Sequence, residues 1–155
     1  MKRKICLCIA WASVVAVCVA IFHFSGMVAD DSAEQSFFFK EVFSRIFGIG
    51  FTEFFIRKAA HVSEYAALGF LSAFAFAYTF RQAKLFYGGI IFTFLYAVSD
   101  EIHQLFVPGR SGQVRDVLID LGGALLGVLC LGICYLIWRK IKAAREGSLR
   151  GKNVE

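Results

Sequence analysis

Four long apolar runs divide the chain, at about residues 5–28, 59–80, 85–106 and 117–138. Each is continuous rather than two-periodic and close to the roughly 20 residues a helix needs to cross a bilayer, so the pattern predicts four transmembrane helices and no β-barrel. The segment between the first two runs has a different pattern. Phe39, Val42, Phe43, Ile46 and Phe47 recur at helical spacing with Lys40, Glu41, Ser44 and Arg45 between them, which predicts an amphipathic interfacial helix over about 37–47. Such a helix would serve as a lid or lipid-facing rim, or as a plain surface anchor. Gly48-Ile49-Gly50 then reads as a hinge before a short Phe-rich re-entry containing Phe51, Phe54 and Phe55.

Composition strengthens this picture. With 58% apolar residues, 18 Phe and one Pro among 155 residues, and a mean hydropathy of +0.64, the chain is too apolar for a soluble domain of its size. The expected class is an all-α polytopic membrane protein, with one domain over 1–155. A net charge of +5 by itself suits a nucleic-acid partner, but the basic residues sit where the positive-inside rule places them. Lys2, Arg3 and Lys4 precede the first run, Arg81 and Lys84 separate the second from the third, and Arg139, Lys140, Lys142, Arg145, Arg150 and Lys152 follow the fourth. Nucleic acid is therefore not an expected partner; the lipid bilayer is. Both termini should be cytoplasmic, with extracytoplasmic loops at 29–58 and 107–116 and a basic tail, 139–155, that is surface-bound or disordered.

The first run is expected to stay on as an uncleaved anchor, because it exceeds a usual signal-peptide core and its one Ala-x-Ala, Ala10-Trp11-Ala12, falls too early. All five cysteines, Cys6, Cys8, Cys18, Cys130 and Cys134, lie in the apolar runs, where free thiols act as small apolar groups. No disulfide framework is implied, and there is no Cys-x-x-Cys pair to suggest a thiolate metal site.

Ionisable residues interrupt these runs, and they are costly there. A charge at the bilayer centre costs about 2.5–3.5 kcal/mol even on the milder scales, so such residues usually face a bundle interior or a wet cavity. On the second run Arg57, His61, Glu64, Tyr65 and Leu68 share one helical face. The third presents Tyr96, Asp100, His103 and Gln104 together, with Glu101 beside them. In the fourth, Asp116, Asp120, Gly123 and Gly127 align, and Gly123-x-x-x-Gly127 permits close approach of a neighbouring backbone. Alternating helix direction brings all three sets to the same, extracytoplasmic end.

These motifs also carry a resemblance. Arg57-Lys58-x-x-His61-x-x-Glu64-Tyr65-x-x-Leu68-Gly69, Ser99-Asp100-Glu101-x-His103-Gln104-x-Phe106-Val107-Pro108-Gly109-Arg110 and Asp116-Val117-x-Ile119-Asp120-x-x-Gly123 look like the signature of VanZ-like membrane proteins. The early His23-Phe24-Ser25 also fits. The resemblance implies a small protein of the bacterial plasma membrane, and the family's namesake is linked to lowered susceptibility to teicoplanin-type glycopeptides.

Three functional classes fit the cluster. In the first, Arg57, Lys58, Tyr65, Gln104 and Arg110 hold the phosphate or carboxylate of an anionic envelope lipid or glycan, with Arg supplying a bidentate fork. In the second, His61, Glu64, Asp100, Glu101, His103, Asp116 and Asp120 perform chemistry on that ligand, either by acid–base catalysis from a carboxylate-tuned His or through a divalent metal. The third makes the same residues structural, since Arg57, Lys58, Arg110 and Arg115 nearly balance Glu64, Asp100, Glu101, Asp116 and Asp120. Against this last reading, buried ion pairs rarely outperform well-packed apolar groups. Neither a nucleophile elbow nor a Gly-rich phosphate loop occurs, which excludes the usual hydrolase and nucleotide sites.

Overall fold

The computed structural model describes residues 1–27, 37, 41, 42, 44, 45, 52–82 and 86–152, without the side chains of 53 and 147–152. Four long helices account for most of these: α1 (Lys2–Ser25), α2 (Glu53–Phe80), α3 (Phe86–Gln104) and α4 (Val114–Lys152). The interfacial helix expected over 37–47 lies for the most part outside the described residues.

Two helix boundaries differ from the sequence expectation. α2 starts before residue 59 because Thr52 caps it, its hydroxyl accepting the Phe55 amide at 3.2 Å. Phe54 and Phe55, read as part of a re-entry, therefore form its first turn. α4 runs through the anticipated end at 138 to Lys152, so the basic tail is helical over that stretch. No Pro interrupts the segment from Trp138 to Lys152, and Lys142 and Glu146 approach to 3.8 Å at i, i+4 spacing.

α2 is the central element and packs against the other three. Its contacts with α4 advance in step along both chains: Lys58 with Asp116, His61 with Asp120, and the Val62 and Ala66 carbonyls against Gly123 and Gly127. The two helices are therefore parallel. A methyl group on Gly127 would collide with the Ala66 carbonyl oxygen, which explains the Gly123-x-x-x-Gly127 spacing as a close-approach face. α2 and α3 run antiparallel, clasped at mid-length by the Ser72 hydroxyl, which lies 3.1 Å from Thr93 Oγ1 and donates to the Gly89 carbonyl at 3.3 Å. At the far end Trp11 of α1 donates its indole N–H to Thr79 Oγ1 at 3.1 Å.

Long apolar side chains face outward from this bundle. Two helices, Lys2–Ser25 and Val114–Glu146, are long and apolar enough to cross a membrane, and only 17% and 28% of their most apolar stretches are buried inside the protein. Exposure of Ile5, Ile9, Val15 and Val19 on α1, and of Leu125, Leu129, Leu136 and Ile137 on α4, is more contiguous apolar surface than a water-soluble monomer tolerates. Membrane association follows.

Candidate functional site

The alternating helix directions collect the polar side chains at one end, where α1 stops, α2 begins, α3 stops and α4 begins. A chamber of about 230 Å3 opens there, lined by Phe54, Arg57, Lys58, His61, Gln104, Gly109, Arg110, Ser111, Gln113, Arg115 and Asp116. Its wall holds four cations, Arg57, Lys58, Arg110 and Arg115, and one carboxylate, Asp116. That carboxylate is already committed, since Lys58 Nζ lies 2.6 Å from Asp116 Oδ2.

The turn between α3 and α4 brings Arg110 to this wall. Gly109 supplies a positive φ of 76°, and a side chain on Gly112 would collide with the Glu101 carbonyl oxygen, so the turn folds tightly onto the end of α3. Arg110 then bridges to α1, its Nε donating to the Met27 carbonyl at 3.1 Å and Nη2 to the Phe24 carbonyl at 3.2 Å. A cation on the last carbonyls of a helix is favourable there. Burial, and secondarily the nearby Arg57 guanidinium, lowers the Arg110 pKa from its ordinary value.

His61 and Gln104 also line the chamber, and the remaining acids are packed away from it. Asp120 is completely buried, with Oδ1 3.6 Å from His61 Nδ1. Asp100 is buried too and accepts the Tyr65 hydroxyl at 3.2 Å. Glu101 takes the Gln113 amide at 2.8 Å, anchoring the start of α4 from the end of α3. Even so, Asp100 Oδ1, Glu101 Oε1, both Asp120 oxygens and Gln104 Nε2 are buried without a hydrogen-bond partner among the described residues. Buried polar groups in that condition are expensive.

The sequence-derived site is thus split. Arg57, Lys58, His61, Gln104, Arg110 and Asp116 meet at the chamber, and Tyr65, Asp100, Glu101 and Asp120 lie buried around it. Glu64 is half-buried one turn beyond His61. His103 departs from the group: its ring stacks on Phe22 of α1 at 4.3 Å between centroids, in a groove with Val19, His23, Gly26 and Met27. Tyr96 turns the same way and donates to the Cys18 carbonyl at 2.6 Å. Among the described residues no three His, Cys, Asp or Glu side chains come together as a metal site, and all five cysteines are free thiols.

Phe54, Ser111 and Gln113 line the chamber without having been singled out from the sequence. Ser111 and Gln113 adjoin Arg110 in a turn that had to fold back for Arg110 to reach a pocket, and this was the available signal. Phe54 gave none, because it read as part of a re-entrant stretch.

Together these features define a class: an all-helical, membrane-associating bundle with a cation-lined chamber at one end of its helices. The profile of the VanZ/LLP1 family matches residues 10–138, and the chain belongs to that family. No curated protein and no solved structure matches it.

Proposed function

We propose that the chain is a four-span protein of the bacterial plasma membrane, with both termini cytoplasmic, whose extracytoplasmic chamber binds the anionic head of an envelope lipid or cell-wall component. Four spans are supported by length as well as by the outward apolar faces. At about 1.5 Å per residue, the 28 residues of α2 and the 19 of α3 extend about 42 and 28 Å, against a hydrocarbon core of about 30 Å. Both helices carry their charges at the chamber end, where a wet site would receive them.

The observation that carries the reading is the sorting of charge. Asp100, Glu101 and Asp120 are buried around the chamber and Glu64 is half-buried beyond His61, so its wall carries Arg57, Arg110 and Arg115 opposite a single carboxylate that Lys58 already occupies. Mutual repulsion between Arg57 and Arg110 is a cost that a bound phosphate or carboxylate relieves. By altering how its ligand is displayed, the protein would affect teicoplanin susceptibility in the manner of the family's namesake.

One observation favours a second reading, acid–base chemistry on the same ligand: His61 lines the chamber with the otherwise unpartnered Asp120 behind its Nδ1. Incubating the purified full chain with fluorescently labelled phosphatidylglycerol separates the two. Saturable binding with the lipid recovered unchanged supports the binding reading; a new product that disappears in His61→Ala supports catalysis. Failure to bind phosphatidylglycerol or any other phosphate-bearing lipid refutes both.

A further inference from the structure

A second cavity, of about 490 Å3, lies at the opposite end of the bundle. It opens between the last turns of α2, the start of α3 and the latter part of α4. Phe74, Tyr78, Phe86, Leu131, Tyr135 and Trp138 make its walls apolar and aromatic. Arg81 and Gln82 bring a cation and an amide to its lining, and no acid is among the described residues that line it. Arg81 ends α2 in the left-handed conformation, φ 57°, so the chain turns away at the slot's edge. Two further cations lie against residues of the same aromatic wall, Arg139 at 6.0 Å from the Tyr135 ring and Lys142 at 5.5 Å from the Trp138 ring.

An apolar slot with a basic edge matches one chemistry. Basic pockets between membrane helices on the cytoplasmic side take anionic lipid headgroups, and Tyr and Trp gather at the interface depth where such a headgroup sits. We infer that this slot is a binding site for an anionic phospholipid of the cytoplasmic leaflet, one acyl chain lying against the aromatic wall and the phosphate held by Arg81. Lipid here would brace the ends of α2, α3 and α4 at the face opposite the chamber. The inference rests on the four-span reading, but not on what the chamber binds.

Trp138 is a built-in reporter, because the chain has only two Trp and the other, Trp11, packs on Phe76 and Thr79 outside the slot. The experiment uses the full chain carrying Trp11→Phe in phosphatidylcholine bilayers, doped with phosphatidylglycerol or phosphatidylcholine bearing identical brominated acyl chains. Half-maximal quenching of Trp138 should need about fivefold less brominated phosphatidylglycerol, the enrichment expected from one surface cation. Arg81→Gln should abolish that preference with the emission spectrum unchanged, and Ala77→Phe, which fills the slot, should abolish it as well. In the converse protein, Trp138→Phe, Trp11 should be quenched equally by the two lipids. Equal quenching of Trp138 by both lipids overturns the inference, as does a preference that survives Arg81→Gln. Failure of the four-span reading looks different: neither brominated lipid quenches Trp138 while aqueous iodide does, and both readings then fall.

Discussion

Arg57 and Arg110 line one chamber, and Arg110 divides its guanidinium between that chamber and two carbonyls, those of Phe24 in the last turn of α1 and of Met27 just beyond it. Its removal therefore has two effects, on ligand affinity and on stability, whereas exposed Arg57 should affect affinity alone. The buried acids behave in the opposite way. Asp120 has His61 as its nearest ion-pair partner, and breaking a buried pair from one side costs about 3–5 kcal/mol. Asp120→Ala should accordingly unfold at markedly lower temperature in detergent, with Asp120→Asn intermediate; stabilities equal to the parent would show that the buried carboxylate contributes nothing. Tyr65→Phe removes the hydrogen bond to Asp100 and should cost about 1–3 kcal/mol, measured by the same thermal scan.

Packing decides matters at the level of helices. The α2–α4 contact depends on glycine, since a Cβ at 127 would collide with the Ala66 carbonyl and one at 123 would stand 2.5 Å from the Val62 carbonyl oxygen. Gly127→Leu should force these parallel helices apart and cost about 1–3 kcal/mol or more, read as a lower unfolding temperature. Gly122→Ala, at a position where a Cβ meets nothing within 4 Å, should leave stability unchanged or slightly raised. Because Glu101 receives the Gln113 amide, Glu101→Gln should loosen the first turn of α4 and raise amide hydrogen exchange near residues 113–116. Helix faces were legible from spacing alone: Gly123 and Gly127 do face α2 with Asp116 and Asp120. The rotation of α3 was less so. Asp100, Glu101 and Gln104 turn inward while His103 goes to Phe22, because a helix flanked on two sides presents adjacent residues to different neighbours, and a single-face reading cannot assign them. The start of α2 was misplaced for a similar local reason: Thr52 is a good N-cap, but the aromatics Phe51, Phe54 and Phe55 around it read as a re-entry.

On the scale of the whole molecule, topology gives the site its position. Four helices of alternating direction bring the ends of α1 and α3 together with the starts of α2 and α4, and every candidate site residue belongs to that end or lies a turn or two beneath it. That the charges are sorted, with cations on the chamber wall and acids buried, could not be read from the chain, where the two signs alternate and nearly cancel. Sidedness is testable directly. Ser111→Cys in a chain whose native cysteines are replaced by Ala should react with an impermeant maleimide on intact cells, and Gln82→Cys only after permeabilisation; the reverse pattern would invert the topology.

The measurement that bears most directly on the account is calorimetric titration of the purified full chain, carrying Arg81→Gln to silence the opposite slot, with short-chain phosphatidic acid, using phosphatidylcholine of the same chain length as control. The account predicts saturable binding of the acid alone, weakened about tenfold to a hundredfold in Arg57→Gln, as expected for the loss of a charge-assisted contact. Equal affinity for both lipids, or unaltered affinity in Arg57→Gln with the fold intact, would contradict it.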